Sequence, residues 1–311
     1  LWLEKGREKD IATYDLVVRE LPDTWNFYVM SGIDRMLALI QTIRFDDDAI
    51  EIFKGMKLIV NKKAEDFYRN FKFSGDVSAM KDGTIFFPGE PIVRITASLP
   101  EANLLTAFMM NVLGYPIRIL TKTLRVKMAC GDKMFMAGST VRLPGFEQGV
   151  WNIRDAFILG STVYSPTFYR KFLGHTPPGN VSANINHAVI KSFDIERDAF
   201  GSVFATMLHD AGHFLVMVDT YDYKRGLQRF IEEVKKRPQL PTEKLQICID
   251  SGNVAERARY SRKEMDKNGL KKVRINVMGN LDEYSIDKLV RKGTPIDSYF
   301  AGTAVANLID N

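Results

Sequence analysis

The chain has 311 residues, of which 45% are hydrophobic and 26% charged, a composition typical of a soluble globular protein of about two domains. Lysine and arginine outnumber aspartate and glutamate by 43 to 38, an excess too small and too dispersed to indicate a protein that binds nucleic acid. We expect no membrane association, because no segment approaches the ~20 consecutive apolar residues that a span requires. A modest positive charge instead suits a phosphorylated small-molecule substrate.

The cysteines and the N-terminal segment indicate the cellular compartment of the protein. Cys130 and Cys248 are too few for a disulfide scaffold, and Cys248 lies in a predicted buried strand, so we expect reduced thiols in a cytoplasmic protein. The opening LWLEKGREKD lacks the apolar core of a signal peptide. Because the chain starts at Leu1 without a methionine and stops just after a predicted strand, we expect residues to be missing at both ends.

The first third of the sequence predicts helices and short antiparallel strands. Residues 11–21, IATYDLVVREL, alternate in polarity as a half-exposed strand does. Apolar residues at helical spacing over residues 25–43, and an acidic start followed by apolar residues over 46–56, predict two helices. Residues 71–99 are rich in β-branched and aromatic residues and are interrupted by KDG and PGEP, which predicts short strands joined by turns.

We place a domain boundary at Gly114-Tyr115-Pro116. Helical patterns precede and follow it, PEANLLTAFMMNVL over residues 100–113 and ILTKTLRVKMAC over 119–130. The prediction is therefore an α+β sandwich domain over residues 1–114 and an α/β barrel domain over residues 115–311.

The second part repeats one design, an apolar run that ends in small or acidic residues. FLVMVDTYD, LQICIDSGN, VRINVMGNLDE and IDSYFAGT alternate with charged helical segments, which predicts βαβ units around a parallel sheet. About seven candidate strands favour an irregular, incomplete α/β barrel over a regular eight-stranded one. Because parallel strands end at one face, we expect their polar tips to converge on one cleft. Those tips carry Asp219, Asp222, Asp250, Ser251, Gly279, Gly302 and Thr303.

Short motifs narrow the chemistry. No G-x-G-x-x-G follows a strand and no G-x-x-x-x-G-K-[ST] is present. The sequence therefore gives no motif support for a Rossmann-type dinucleotide site or a Walker-type nucleotide site. HDAGH, at residues 209–213, has the spacing of a zinc pair, but a helix end without metal is the favoured interpretation. The glycines of DSG (250–252) and MGN (278–280) either expose backbone N–H groups to a phosphate or only make tight turns, and both interpretations stay open.

Seven segments stand in the order and at the spacing of motifs in one enzyme family. They are ATYDLVVRELP, FSGDVSAMKDGTIFFPGEPIVRI, LTKTLRV, VDTYDYKRGL, IDSGNVAE, MGNLDEYSIDKLV and IDSYFAGT. The chain resembles nicotinate phosphoribosyltransferases over nearly its whole length. The resemblance implies an irregular α/β barrel with an α+β sandwich domain, and a homodimer with shared active sites. It also implies synthesis of nicotinate mononucleotide from nicotinate and phosphoribosyl pyrophosphate in NAD salvage, with Mg²⁺ and usually with ATP hydrolysis through a phosphorylated histidine.

The resemblance also implies roles for individual residues. His187 would be the phosphorylated histidine, and Asp219 and Asp250 would be the catalytic acids near the ribose and Mg²⁺. Lys122 and Arg142 would hold the diphosphate. The other implied substrate-binding residues are Arg19, Ser251 and Gly252, together with Gly279, Gly302 and Thr303 as the cradle of the 5′-phosphate.

The chain departs from the family pattern at several substrate-binding positions. AGSTVRLPG keeps only Arg142 of an arginine-containing motif, LGSTVYSP replaces a small-residue turn, and Ala183-Asn184-Ile185-Asn186 precedes the histidine. Cys248 stands where the family has an arginine. An alternative hypothesis is therefore a diverged homologue, non-catalytic or with an altered substrate, that binds a ribose-phosphate nucleotide. The retained acids, Lys122 and His187 favour the enzyme.

Overall fold

The structure is a computed structural model that describes residues 2–137, 142–161, 183–207 and 214–308. The chain divides into two compact units, Leu1–Thr121 and Lys122–Asn311.

The first unit contains antiparallel strands and helices, as the sequence predicts, but the helix predicted over residues 25–43 is wrong in its first part, where residues 28–29 form a strand. Its strands are β1 (Ile11–Val17), β2 (Tyr28–Val29), β3 (Asp76–Ala79), β4 (Ile85–Phe86) and β5 (Pro91–Ser98), and its helices are α1 (Ile33–Thr42), α2 (Asp47–Gly55), α3 (Lys62–Arg69) and the first part of α4 (Leu99–Ala129). β1, β5 and β3 form a three-stranded sheet in that order, and β2 pairs with β4. Arg94 on β5 donates two hydrogen bonds to Asp15 on β1, at 2.7 and 2.8 Å, a cross-strand pair that supports the register.

The predicted break between two helices at Gly114-Tyr115-Pro116 is wrong. One helix, α4, runs through this segment with Pro116 inside it. Proline lacks the N–H that would bond the carbonyl four residues before it, which costs ~3 kcal/mol in a helix interior. Burial of apolar side chains on both sides, including Leu113 and Ile117, offsets this cost. The predicted domain boundary therefore falls within α4, and the compact units divide further along the same helix, between Thr121 and Lys122.

Among the described helices, α4 alone is long and apolar enough to cross a membrane by length and composition. Half of its most apolar stretch is buried inside the protein. This is the pattern of a core helix.

The second unit is built on parallel strands with helices between them. Its strands are β6 (Met134–Ala137), β7 (Ala183–Ile185), β8 (Phe214–Met217), β9 (Leu245–Ile249), β10 (Arg274–Val277) and β11 (Ser298–Ala301). Its further helices are α5 (Phe146–Ile158), α6 (His187–Lys191), α7 (Glu196–Met207), α8 (Tyr223–Lys235), α9 (Val254–Lys267), α10 (Glu283–Arg291) and α11 (Thr303–Asn307), with a 3₁₀ turn at Thr242–Lys244.

The strand order is that of a barrel. β7 to β11 are neighbours in chain order, and the first strand, β6, pairs in parallel with the last, β11. A doubly wound sheet would instead reverse its strand order part-way. Within the described ranges β6 and β7 form the two edges, so six strands make an incomplete barrel. The predicted α/β fold class is confirmed.

Polar side chains form a ladder across the buried strands. The Cys248 thiol on β9 donates to Asn276 Oδ1 on β10 (3.4 Å), and Asn276 Nδ2 donates to Ser298 Oγ on β11 (2.8 Å). Ser298 Oγ in turn donates to Gln246 Oε1 on β9 (3.4 Å). All four residues are buried. Ile247, between the two β9 ladder residues, projects to the opposite face of the sheet, because strand side chains alternate.

An ionic cluster joins α7 to α8. Arg237 Nη1 donates to Glu233 Oε2 at 2.8 Å, Lys236 contacts the other carboxylate oxygen, and Arg237 Nη2 reaches the carbonyl of Gly201 on α7 at 3.2 Å. Burial alone would raise the pKa of Glu233, but the hydrogen bonds from Lys236 and Arg237 outweigh it and hold the pKa below its ordinary value.

We predict that Glu233→Gln lowers the free energy of unfolding by about 1–3 kcal/mol at neutral pH. A carboxyl whose pKa is lowered by folding stabilises the protein above its unfolded pKa of ~4.3 and loses this contribution as the pH falls. The difference between wild type and variant should therefore shrink below about pH 4. Urea unfolding across this range measures it, with the neighbouring Glu232→Gln as control. An equal loss at every pH would contradict the ionic explanation.

Candidate active site

The ends of β8 and β9 bring two predicted catalytic acids together. Met217 on β8 is in register with Cys248 on β9, so Asp219 and Asp250, each two residues further on, emerge side by side at the same edge of the sheet. The Asp250 amide donates to Asp219 Oδ2 at 3.0 Å. The convergence that the sequence predicts is therefore present for Asp219 and Asp250.

Asp219 is the more deeply held of the two. Its side chain is 1% exposed. Besides the Asp250 amide, its Oδ2 accepts a hydrogen bond from Ser251 Oγ at 2.6 Å. Its Oδ1 is buried and has no hydrogen-bond partner among the described residues. A buried carboxylate oxygen is costly to leave unpaired, so Oδ1 is the atom of this cluster best placed to take an incoming cation or donor.

Asp250 occupies an unfavourable place for a second negative charge. Burial raises its pKa, and the charge of Asp219 raises it further, while His187 and Arg142 act in the opposite direction. Two neighbouring carboxylates of this kind favour a bound cation, which would relieve their repulsion.

His187 lies next to the acid pair because α6 begins immediately after β7. Asn186 caps the helix by accepting hydrogen bonds from the amides of Ala188 and Val189, which makes His187 the first helical residue. Its Nδ1 is 2.9 Å from Thr220 Oγ1, and its Nε2 is 3.6 Å from Asp250 Oδ2. The second distance exceeds a hydrogen bond, so Nε2 is not committed as a donor. The imidazole is 36% exposed and therefore accessible.

The glycines of the two motifs are required by the backbone. Gly252 has φ +70° and Gly279 has φ +110°, conformations that side chains rarely adopt. A Cβ on Gly279 would also lie 3.2 Å from the carbonyl oxygen of Asp250. The turn interpretation therefore holds for both, and phosphate binding by their N–H groups stays a prediction. Gly302 precedes α11 with φ −128° and Thr303 begins that helix, so neither is in the left-handed region.

Sequence reasoning missed Arg257, which lies in this cluster. Its Nη1 donates to Ser251 Oγ at 2.8 Å and lies 3.5 Å from Asp219 Oδ2. A helical side chain leans toward the N-terminus of its helix, and Arg257 stands one turn inside α9, directly after the DSGN segment. The position of Arg257 one turn after the DSGN segment is the feature of the sequence that could have identified it.

Parts of the sequence prediction lie outside the described residues. These are the HDAGH segment (209–213) and portions of the AGSTVRLPG and LGSTVYSP segments. In the described ranges, no three His, Cys, Asp or Glu side chains are grouped to hold a metal ion. A two-carboxylate site at Asp219 and Asp250 is compatible with that finding.

Comparison with known proteins supports one family. The model of the nicotinate phosphoribosyltransferase N-terminal domain matches residues 1–114. The chain is 27% identical over 305 residues to nicotinate phosphoribosyltransferase pncB2 of Mycobacterium tuberculosis, which covers 97% of this chain and 63% of that protein. It is 28% identical over 309 residues to the Bacillus subtilis nicotinate phosphoribosyltransferase, covering 99% and 61%. The chain is similar to nicotinate phosphoribosyltransferases over nearly its whole length. It spans about three fifths of the length of these curated relatives.

Solved structures carry the same fold as this chain. Human nicotinic acid phosphoribosyltransferase aligns with a TM-score of 0.82 at 17% identity, over 97% of this chain and 70% of that one. The Pyrococcus furiosus nicotinate-nucleotide pyrophosphorylase aligns with a TM-score of 0.76 at 22% identity, over 98% and 69%. At these identities the likeness concerns the fold alone.

Three further site residues are implied by the family resemblance: Lys122, Arg142 and Arg19. They differ in how exposed they are to solvent. Lys122 is fully buried, and its Nζ lies 2.6 Å from Glu283 Oε2 at the start of α10. Arg125 Nε donates to the other oxygen of Glu283 at 2.7 Å. Arg142 is exposed and close enough to Asp250 to lower its pKa. Arg19 lies in the first unit, exposed, shortly after β1.

The burial of Lys122 gives it a structural role that can be measured. Glu283→Gln removes the carboxylate that both Lys122 and Arg125 contact, and breaking a buried ion pair costs about 3–5 kcal/mol. We predict a loss of that order in urea unfolding. Asp287→Asn, which breaks an exposed pair with Arg291 on the same helix, should cost at most about 1 kcal/mol. Equal losses for the two variants would leave Lys122 available for a substrate role.

Proposed function

We propose that this protein is a nicotinate phosphoribosyltransferase that forms nicotinate mononucleotide from nicotinate and phosphoribosyl pyrophosphate in NAD salvage. The observation that carries the proposal is the cluster of His187, Asp219 and Asp250 at the strand ends of a chain that is similar to this family over nearly its whole length. Its proposed partners are these small molecules and a second copy of the chain that shares the active site, with no nucleic acid and no membrane. A cytoplasmic location belongs to the same proposal.

The reaction needs stabilisation of positive charge at the ribose. In the proposed step, the pyridine nitrogen of nicotinate forms a bond to C1′ of the ribose as the bond from C1′ to the diphosphate oxygen breaks. Pyrophosphate leaves with the bonding electrons. Carboxylates held in a preorganised position stabilise the oxocarbenium-like ribose in the transition state. Asp219 meets this requirement, because its Oδ2 is fixed by Asp250 and Ser251 while Oδ1 has no partner in the described part of the chain.

The acid pair fits the Mg²⁺ ion that the family resemblance implies. Asp219 contributes a buried oxygen without a partner in the described ranges, and Asp250 adds a second carboxylate beside it. Mg²⁺ is commonly bound through one or two carboxylates plus substrate phosphates, so a third protein carboxylate is not needed. When bound, the ion neutralises charge on the phosphate oxygens.

His187 is proposed as the acceptor of the γ-phosphoryl group of ATP. The 2.9 Å contact between His187 Nδ1 and Thr220 Oγ1 is compatible with the tautomer in which Nδ1–H donates and Nε2 carries the lone pair, as a nucleophile requires. Nε2 attacks the γ-phosphorus, a P–N bond forms, the bond to the β-phosphate oxygen breaks, and ADP leaves. Water then hydrolyses the phosphohistidine and releases phosphate.

The phosphates of the substrate are proposed to meet exposed N–H groups and an arginine. Arg142 would contact the diphosphate, and the small residues at the strand tips allow close approach of a phosphate. Those residues are Ser251, Gly252, Gly279, Gly302 and Thr303. Lys122 and Arg19 stay predictions from the family resemblance, and for Lys122 the buried ion pair with Glu283 is the competing role.

A product assay tests the proposed function. Phosphoribosyl pyrophosphate is supplied with nicotinate, nicotinamide or quinolinate in parallel, and mononucleotide and pyrophosphate are measured. We expect one pyrophosphate released per nicotinate mononucleotide. Asp219→Asn should reduce kcat by roughly 100-fold. Asp222→Asn, in which the side chain that caps α8 keeps a carbonyl oxygen to accept from the Arg225 amide, is the control and should stay close to wild type.

The diverged homologue is the second candidate, and Cys248 favours it. The thiol is fully buried in the polar ladder, and burial raises its pKa, so this position supplies no positive charge to a substrate. Nucleotide binding without turnover of any of the three bases would select this candidate over the enzyme.

His187→Ala should abolish the stimulation of turnover by ATP while leaving slow transfer without ATP. Label from γ-labelled ATP should appear on the wild-type protein and be absent from this variant. Thr220→Val keeps the imidazole but removes its hydrogen-bond partner, so labelling should persist at a reduced rate. Label that remains on the His187→Ala protein would place the phosphoryl group elsewhere.

A further inference from the structure

The guanidinium of Arg257 touches three parts of the candidate site. Its Nη1 donates to Ser251 Oγ at 2.8 Å and lies 3.5 Å from Asp219 Oδ2. The same group covers the turn at Gly252, where an added Cβ would lie 2.6 Å from the guanidinium carbon. A side chain at this position would have to displace the guanidinium. The Arg257 guanidinium therefore occupies the space that the absence of a side chain at Gly252 leaves open.

Tyr223 holds this guanidinium in place from the other side. The Arg257 guanidinium carbon lies 4.8 Å from the centroid of the Tyr223 ring, within the range of a cation–π contact. The Tyr223 hydroxyl donates to the Arg257 carbonyl at 2.6 Å and also contacts Ser261 Oγ. Tyr223 itself is buried. Arg257 therefore has a fixed position, unlike a solvated surface arginine, although its side chain is 27% exposed.

The contacts of Arg257 orient Ser251 and, through it, Asp219. The Ser251 hydroxyl accepts from Arg257 and donates to Asp219 Oδ2 at 2.6 Å, so its single proton is directed to the carboxylate. Asp219 Oδ2 thus has the Asp250 amide, the Ser251 hydroxyl and the arginine as neighbours, and the described residues leave only Oδ1 unpaired.

We propose that Arg257 is a positioning residue, which fixes Ser251 and Asp219 in the arrangement that the transferase reaction needs without contacting the reacting atoms. Its effect on turnover rests on the proposed function. Its effect on the geometry of the strand tips does not, and can be measured separately.

Turnover tests the first part. Arg257→Ala should lower kcat at least about tenfold, with a smaller change in KM for either substrate, because it removes a charge-assisted hydrogen bond from a catalytic arrangement. Free guanidinium ion should restore part of the lost rate. Arg259→Ala is the matched control: it removes the same side chain type two residues along α9, where Arg259 contacts the Ala255 carbonyl of its own helix at 3.5 Å. It should keep wild-type kinetics and not respond to guanidinium. Unchanged kcat in Arg257→Ala would overturn the role in turnover.

Amide hydrogen exchange tests the second part without any activity. The Asp250 amide is bonded to Asp219 Oδ2, so its exchange should accelerate at least about tenfold in Arg257→Ala and stay unchanged in Arg259→Ala. If Arg257→Ala does not fold, Arg257→Lys replaces it in the experiment. Lysine keeps the aliphatic part of the side chain but lacks the planar guanidinium that contacts both Ser251 and Asp219. Unaltered Asp250 exchange in the folded variant would overturn the inference. Accelerated exchange in a protein whose wild type shows no transferase activity would sustain the inference and reject the proposed function.

Discussion

The candidate site depends on the need to satisfy one buried carboxylate oxygen, Asp219 Oδ2. Hydrogen bonds reach it from the Asp250 amide and the Ser251 hydroxyl, and Arg257 lies beside it. A buried charge without such partners is strongly unfavourable. The loop after β9 and the first turn of α9 must therefore meet the end of β8. Parallel pairing of β8 with β9 makes that meeting possible, because both strands end at one edge.

This arrangement leaves an electrostatic imbalance that is suited to a charged ligand. Asp219 and Asp250 are close enough for one to raise the pKa of the other, with His187 and Arg142 acting against that effect. A ligand that combines phosphates with a divalent cation would bring both signs of charge into such a site. The glycine turns at residues 252 and 279 let the backbone approach closely without a side chain in the way.

Much of the fold follows from local patterns. The apolar runs of β8 and β9 predict buried parallel strands, and their polar ends predict where Asp219 and Asp250 lie. Other features depend on tertiary packing, which local sequence patterns do not reveal. The glycine and proline near residue 116 indicate a helix break, yet burial along α4 overrides that signal. Lys122 belongs to a recognisable motif, but only the fold brings Glu283, distant in sequence, next to its ammonium. Arg257 could be found only by combining the turn, the helix start and the lean of helical side chains.

The polar ladder through the barrel interior restricts how the strands can align. Apolar side chains are nearly interchangeable after a shift along the strand, whereas Cys248, Asn276 and Ser298 find their partners in one register only. A one-residue slip would leave buried amide and hydroxyl groups unpaired, at about 1–3 kcal/mol each. The interior thus discriminates against misaligned strands while the chain folds. Since a slip would also carry Asp250 and Gly279 away from Asp219, the ladder fixes the geometry of the candidate site through side chains buried in the sheet.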